Sequence, residues 1–199
     1  MDLEDRIRSR IAAGDLRAAA TAAVEGYGRE VLGFLVAMLR DEHAASEVFS
    51  QACEDLWAGL PAFEARSSLR TWFYVLARHA AARFRRSPHR RGERRVPISE
   101  LTDISEAVRT RTLPHLRTEV KSQVAAIRDE LAEDDRSLLV LRVDRNMSWN
   151  DIARVLYPDD SSDEGIARAA ARLRKRFQFV KDELRARARA AGLIPGDET

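Results

Sequence analysis

Apolar residues recur every three to four positions through most of the chain, and no stretch sustains the two-residue alternation of a strand. The pattern predicts an all-α protein. Leu16, Ala20, Ala23, Tyr27, Val31, Phe34, Leu35 and Met38 mark one side of a long helix over 15–40, with Gly26 and Gly28 as candidate kink points inside it. A second helix is expected over 44–58, with Val48, Phe49, Ala52, Leu56 and Trp57 as its apolar face, and Gly59 and Pro61 end it. A third, capped by Ser67 or Ser68, turns Leu69, Trp72, Phe73, Leu76, Ala80 and Phe84 inward and stops near Arg86.

The periodicity then fails. "SPHRRGERRVPISELTDI" holds two prolines, a glycine and a crowd of arginines, which reads as a basic linker. Helical pattern resumes from Arg117 to Leu131. Asp134 or Asp135 can cap a short helix over "RSLLVLRVD", and Ser148 with Asp151 forms a capping box for "WNDIARVL". "YPDDSSDEG" breaks the chain again, and a last long helix starts near Ser162, with Asp163 and Glu164 favourable at its N-terminal dipole. Along it Ile166, Ala170, Leu173, Phe177, Val180 and Leu184 form a buried stripe, while Arg168, Arg172, Lys175 and Phe179 form a second stripe offset from the first. A short helix, a loop and a longer helix with a cationic outer stripe is the order of a helix-turn-helix. Arginine suits the second helix because its fork can give guanine two hydrogen bonds.

Composition narrows the chemistry. No apolar run approaches the ~20 residues of a membrane-spanning helix, and "MDLEDRIRSRIAAG" lacks the basic-then-apolar order of a secretory signal, so a cytoplasmic protein without membrane insertion is expected. Cys53 is the only cysteine, which excludes an intramolecular disulfide and every multi-cysteine zinc site. His43, His79, His89 and His115 are scattered without metal-ligand spacing, and no phosphate-binding or nucleophile motif is present. The expectation is therefore no catalysis, no cofactor and no metal. Net charge is only +2, yet arginines crowd two places, Arg83 to Arg95 and Arg168 to Arg176. Two basic clusters on one chain suggest two contacts with a polyanion.

"FEARSSLRTWFYVLARHAAARFRR" resembles F-x-G-x-S-S-F-R-T-W-L-Y-x-I-A-R-N followed by a basic helix end, a stretch found in the extracytoplasmic-function (ECF) group of bacterial sigma factors. "LAEDDRSLLVLRVDRNMSWNDIARVL" and "RLRKRF" resemble the group's L-P-x-x-x-R-x-V-L-x-L-R-x-x-x-x-x-S-Y-x-E-I-A-x-x-L and R-A-R-K-R-L. The resemblance implies two small helical domains joined by a flexible basic linker: 1–90, which would bind core RNA polymerase and melt the −10 element; a linker over 91–116; and a helix-turn-helix domain over 117–192 that would read the −35 element, with a tail over 193–199. It places the −10 contacts at Phe63, Glu64, Ser67, Arg78, His79, Arg83, Arg85 and Arg86. The −35 contacts fall at Arg168, Arg172, Lys175 and Arg176. Glu47, Ser50, Gln51 and Glu54 would meet the clamp helices of the polymerase β′ subunit.

Three departures from the group's pattern bear on function. Arg78-His79 replaces an R-N pair, which alters a side chain near the melted strand. The loop "YPDDSSDEG" is longer and more acidic than the usual L-G-I-P-x-G-T. The acidic opening D-A-E-D of the polymerase-binding helix is here Ala44, Ala45, Ser46 and Glu47. An interface built on charge complementarity loses on-rate and specificity without those acids. Ser46 and Ser50 are accordingly candidate phosphorylation sites that would restore negative charge, and an anti-sigma factor or a kinase is the expected regulator. A polymerase-independent helix-turn-helix regulator and a helical protein–protein adaptor are the alternative readings.

Overall fold

In the computed structural model, which describes residues 2–86, 103–112, 123–158 and 162–194, aspartates begin the first three helices. Asp2 accepts from the Asp5 N–H at 2.8 Å and starts α1 (Leu3–Ala12). Asp15 accepts from Ala18 at 3.1 Å and starts α2 (Leu16–Leu39). Asp41 accepts from both His43 and Ala44 and starts α3 (Glu42–Gly59). Each satisfies a first-turn donor that has no acceptor within its own helix. α3 runs into a single 3-10 turn, Leu60–Ala62, and α4 follows at Leu69–Arg86. Among the described residues there is no strand.

The chain divides into two units, Met1–Pro114 and His115–Thr199. In the first, α2, α3 and α4 pack on one another and α1 lies on α2. Val31, Leu32, Phe34, Leu35, Phe49, Leu56, Leu69, Phe73 and Tyr74 are buried in its core. Phe34 and Tyr74 meet edge to face with ring centroids 5.4 Å apart. α2 is one continuous helix across Gly26 and Gly28. At Gly28 a β-carbon would stand 3.1 Å from the Phe49 ring and 3.2 Å from Val108, so the missing side chain admits two neighbours.

Val108 belongs to α5, residues 103–112, which falls inside the stretch expected to be linker. The first unit therefore extends beyond residue 90. Ser105 and Thr112 are buried, and Arg109 reaches Ser50 on α3 at 2.9 Å. The sequence hides this helix because small hydroxyl residues share its inner face with Val108, leaving little apolar periodicity. The remainder of the expected linker and much of the expected tail lie outside the described residues.

The second unit comprises α6 (Gln123–Asp129), α7 (Glu133–Leu139) with a wider helical turn at Val140–Asp144, α8 (Trp149–Leu156) and α9 (Asp163–Ala190). The Ser148 hydroxyl accepts from the Asp151 N–H at 3.2 Å and donates to its carboxylate at 2.5 Å; Ser162 caps α9 through Gly165. α8 packs on α9, and Ile152, Ala153, Ile166, Ala170 and Leu173 are buried. Neither Asp134 nor Asp135 caps α7, whose N-cap is Ala132. Asp135 instead points inward, 6% exposed, and takes two hydrogen bonds from Arg176 on α9 at 2.7 and 2.5 Å. Arg136, also buried, closes the end of α6 by donating to the carbonyls of Asp129 and Leu131, both at 3.1 Å.

The Asp135→Ala variant is expected to lower stability by about 1–2 kcal/mol, since the lost pair is buried on one side and solvated on the other. Arg172→Ala, an exposed change, should stay within about 0.5 kcal/mol of wild type. Urea unfolding followed by circular dichroism checks both.

Candidate functional site

Between α3 and α4 the chain forms a short exposed loop, 63–68, and three local features fix its shape. The Phe63 ring lies 4.9 Å from Trp72 at an interplanar angle of 36°. Trp72 in turn lies over the end of α3, where a β-carbon on Gly59 would come within 2.8 Å of its ring. Ser68 caps α4, its hydroxyl accepting from the Thr71 N–H at 3.0 Å. Between these anchors Ala65 adopts a left-handed backbone with φ 54°, a conformation that glycine takes without steric penalty. The similar stretch quoted above has glycine at this position. Glu64 pairs with Arg66 at 2.6 Å in solvent, and the Ser67 hydroxyl donates to the Ser68 carbonyl at 3.2 Å. Phe63, Glu64 and Ser67 thus share one loop at the N-terminus of α4.

Of the three consecutive aromatics, Phe73 and Tyr74 enter the core and Trp72 is half-buried against Phe63. The inward set expected from the sequence includes Trp72 and leaves out Tyr74, which the pitch of α4 turns toward Phe34. Farther along α4, Arg78 and His79 are half-buried, whereas Arg83, Arg85 and Arg86 are exposed on the last turns. Arg83 pairs with Asp55 of α3. The arginines gather where the helix dipole favours cations, which concentrates positive potential at that end.

On α3, Glu47, Ser50, Gln51 and Glu54 occupy half-buried positions along one side. The Gln51 amide donates to Glu54 and to Asp55, each at 3.3 Å. The Ser50 hydroxyl donates to the Ser46 carbonyl at 3.2 Å and accepts from Arg109 at 2.9 Å. Sequence reasoning missed Arg109, since nothing local in 103–112 ties it to α3. Cys53 is buried on the same helix; burial pushes its thiol well above the usual range, leaving it protonated and unreactive.

In the second unit Arg168, Arg172 and Lys175 are exposed along α9. Arg168 forms a loose pair with Glu164 one turn earlier at 3.6 Å, and the Arg172 guanidinium lies 5.7 Å from the Tyr157 ring centre. Arg176 is set apart from these three by its double bond to Asp135; that carboxylate also holds its guanidinium above the ordinary range. A cluster that the sequence did not disclose surrounds Trp149 at the start of α8. Arg142 and Arg174 lie 4.8 and 5.9 Å from its ring centre, and Phe177 meets it edge to face at 5.5 Å. Among the described residues no group of histidine, cysteine or acidic side chains could hold a metal ion, and no helix is long and apolar enough to cross a membrane.

A helical chain with arginines gathered at the end of one unit's helix and along the exposed side of another's has the character of a nucleic-acid-binding protein. The comparisons with known proteins make the class specific. Residues 23–91 match the Sigma-70 region 2 family. The chain is 28% identical to the RNA polymerase sigma-H factor of Pseudomonas aeruginosa over 161 residues, covering 77% of this chain and 82% of the relative. It is 24% identical to the RNA polymerase sigma factor YlaC of Bacillus subtilis over 163 residues, 80% of this chain and 92% of that relative. Residues 23–91 thus carry a sigma-70 region 2 match, and both of these relatives, which span most of the chain, are RNA polymerase sigma factors. The matches support an alternative RNA polymerase sigma factor that directs transcription initiation.

Replacing Ala65 with glycine relieves the left-handed strain at the cost of a more flexible unfolded chain. A net gain of about 0.5–1 kcal/mol is expected, read as a higher thermal midpoint by calorimetry.

Proposed function

We propose that the first unit divides the work of initiation between two surfaces. The side of α3 that carries Glu47, Ser50, Gln51 and Glu54 meets the β′ clamp helices of core polymerase. The 63–68 loop receives a base extruded from the −10 element, and Arg78, His79, Arg83, Arg85 and Arg86 follow the adjacent phosphates. The carrying observation is the loop itself: an aromatic pair, a strained alanine and a capped helix hold Phe63, Glu64 and Ser67 at the head of a helix that ends in arginines. Extruding a base costs a few kcal/mol, which stacking and polar contacts in a preformed pocket offset.

In the second unit α8 acts as the supporting helix of a helix-turn-helix, and α9 reads the −35 element through Arg168, Arg172 and Lys175. Arg176 contributes by holding α9 on α7 through Asp135, so its loss acts on the fold first. The charge missing from the start of α3 is supplied by phosphorylation of Ser46, which is half-exposed. Ser50 is the weaker acceptor of the two, because Arg109 already bonds its hydroxyl and would neutralise a phosphate there. An anti-sigma factor or a kinase acts as the regulator at this surface.

Co-elution with bacterial core RNA polymerase on a sizing column tests the polymerase surface: Ser46→Glu is expected to strengthen the complex relative to wild type, and an unchanged or weaker complex rejects the charge argument. For the second unit, Arg172→Ala should weaken holoenzyme binding to promoter DNA by about 1–3 kcal/mol and relax base preference at one −35 position. Binding isotherms over a set of single-base −35 variants provide the check.

A further inference from the structure

Helix α1 has no assigned part in any of this, yet it reaches the loop. Its seat on α2 is close: the Leu3 side chain stands 2.2 Å from where a β-carbon on Gly26 would be, and Ile7 is fully buried. From that seat Glu4 presents its carboxylate to the first turn of α4. Oε1 accepts the Leu69 N–H at 2.6 Å, and Oε2 accepts the Tyr27 hydroxyl at 3.1 Å. Arg8, one turn along α1, stands 3.4 Å from Oε1. Burial and the carboxylate hold the Tyr27 phenol well above its ordinary range, so it remains a proton donor.

The Leu69 N–H is one of the first-turn donors of α4 that lack a partner within the helix. Ser68 serves Thr71, and a residue from the far end of the chain serves Leu69. The 63–68 loop ends one residue before that N–H. Its other end is held by Phe63 against Trp72. Release at Leu69 would loosen this end of the loop, leaving it to the Ser68 cap on Thr71, while the α3 side stayed in place.

We propose that Glu4 is a positioning residue for promoter melting, fixing the C-terminal end of the 63–68 loop so that its pocket fits the extruded −10 base. This rests on the reading of the loop given above. The test presents holoenzyme, assembled from the full chain and bacterial core RNA polymerase, with single-stranded DNA randomised across the −10 region, and sequences what is retained. Wild type is expected to enrich one base at the pocket position. Glu4→Ala should cut that enrichment roughly tenfold, as loss of a charged helix cap allows, with other positions and co-elution with polymerase unchanged. Glu4→Gln should keep most of it, because an amide oxygen still accepts from Leu69. Tyr27→Phe, which removes only the hydroxyl that orients the carboxylate, should show a smaller loss at the same position and stands in should Glu4→Ala fail to fold. Undiminished enrichment in Glu4→Ala overturns the inference. So does a decline shared by every position together with polymerase binding, which is the mark of a purely structural role. If wild type enriches no base at any position, the pocket reading itself fails and the inference falls with it.

Discussion

Helix α4 meets two opposed demands within 18 residues. Leu69, Phe73, Tyr74 and Ala77 must leave water, each large side chain contributing about 1.5–3 kcal/mol by doing so. Arg83, Arg85 and Arg86 must remain in it. A helix can serve both only by changing character along its length, apolar and buried at the start, cationic and exposed at the end. The rest of the first unit follows from that division. α2 and α3 supply the apolar groove, and the exposed end is left for an anionic partner.

Ion pairs set the relative placement of these helices more than their stability. Arg70 takes both oxygens of Glu30 at 2.5 and 2.8 Å, tying α4 to α2. Arg83 with Asp55 ties α4 to α3, and Arg176 with Asp135 ties α9 to α7. Partly solvated pairs such as these add little net free energy. The two-pronged geometry of Arg70 on Glu30 and of Arg176 on Asp135 nevertheless allows few alternative orientations of the helices they join. Arginine therefore has two roles in this chain. Those with a carboxylate on a neighbouring helix hold the frame, and Arg172 and Lys175 on the outer side of α9 face solvent.

The 63–68 loop shows how a site can depend on distant sequence. Its two ends are held by different kinds of contact, aromatic stacking at Phe63 and a carboxylate from α1 at Leu69. Neither contact is adjacent in the chain to the residue it controls. In the proposed role, a loop held this way loses less ordering entropy when a base enters.

Period and end signals settled much of the architecture in advance. The apolar stripe of α2, the cap at Ser148, the helix start near Ser162, the stop at Gly59-Leu60-Pro61 and the buried and cationic sides of α9 are local consequences of residue order, because helical spacing and first-turn hydrogen bonds involve neighbours only three or four positions away. The arginine clusters were equally legible, since charge is additive along a chain. Which arginines are held in the frame was not, and Arg176 was grouped with Arg172 until Asp135 on another helix claimed it. α5 was hidden by its small hydroxyl residues, and the part played by Glu4 by the 65 residues that separate it from Leu69. Pairings of that range are decided by how helices dock, which depends on the shape and volume of every buried side chain at once. The sequence alone determined most of the helices and their charged faces; tertiary packing decided which of those charges are spent within the fold and which are left facing solvent.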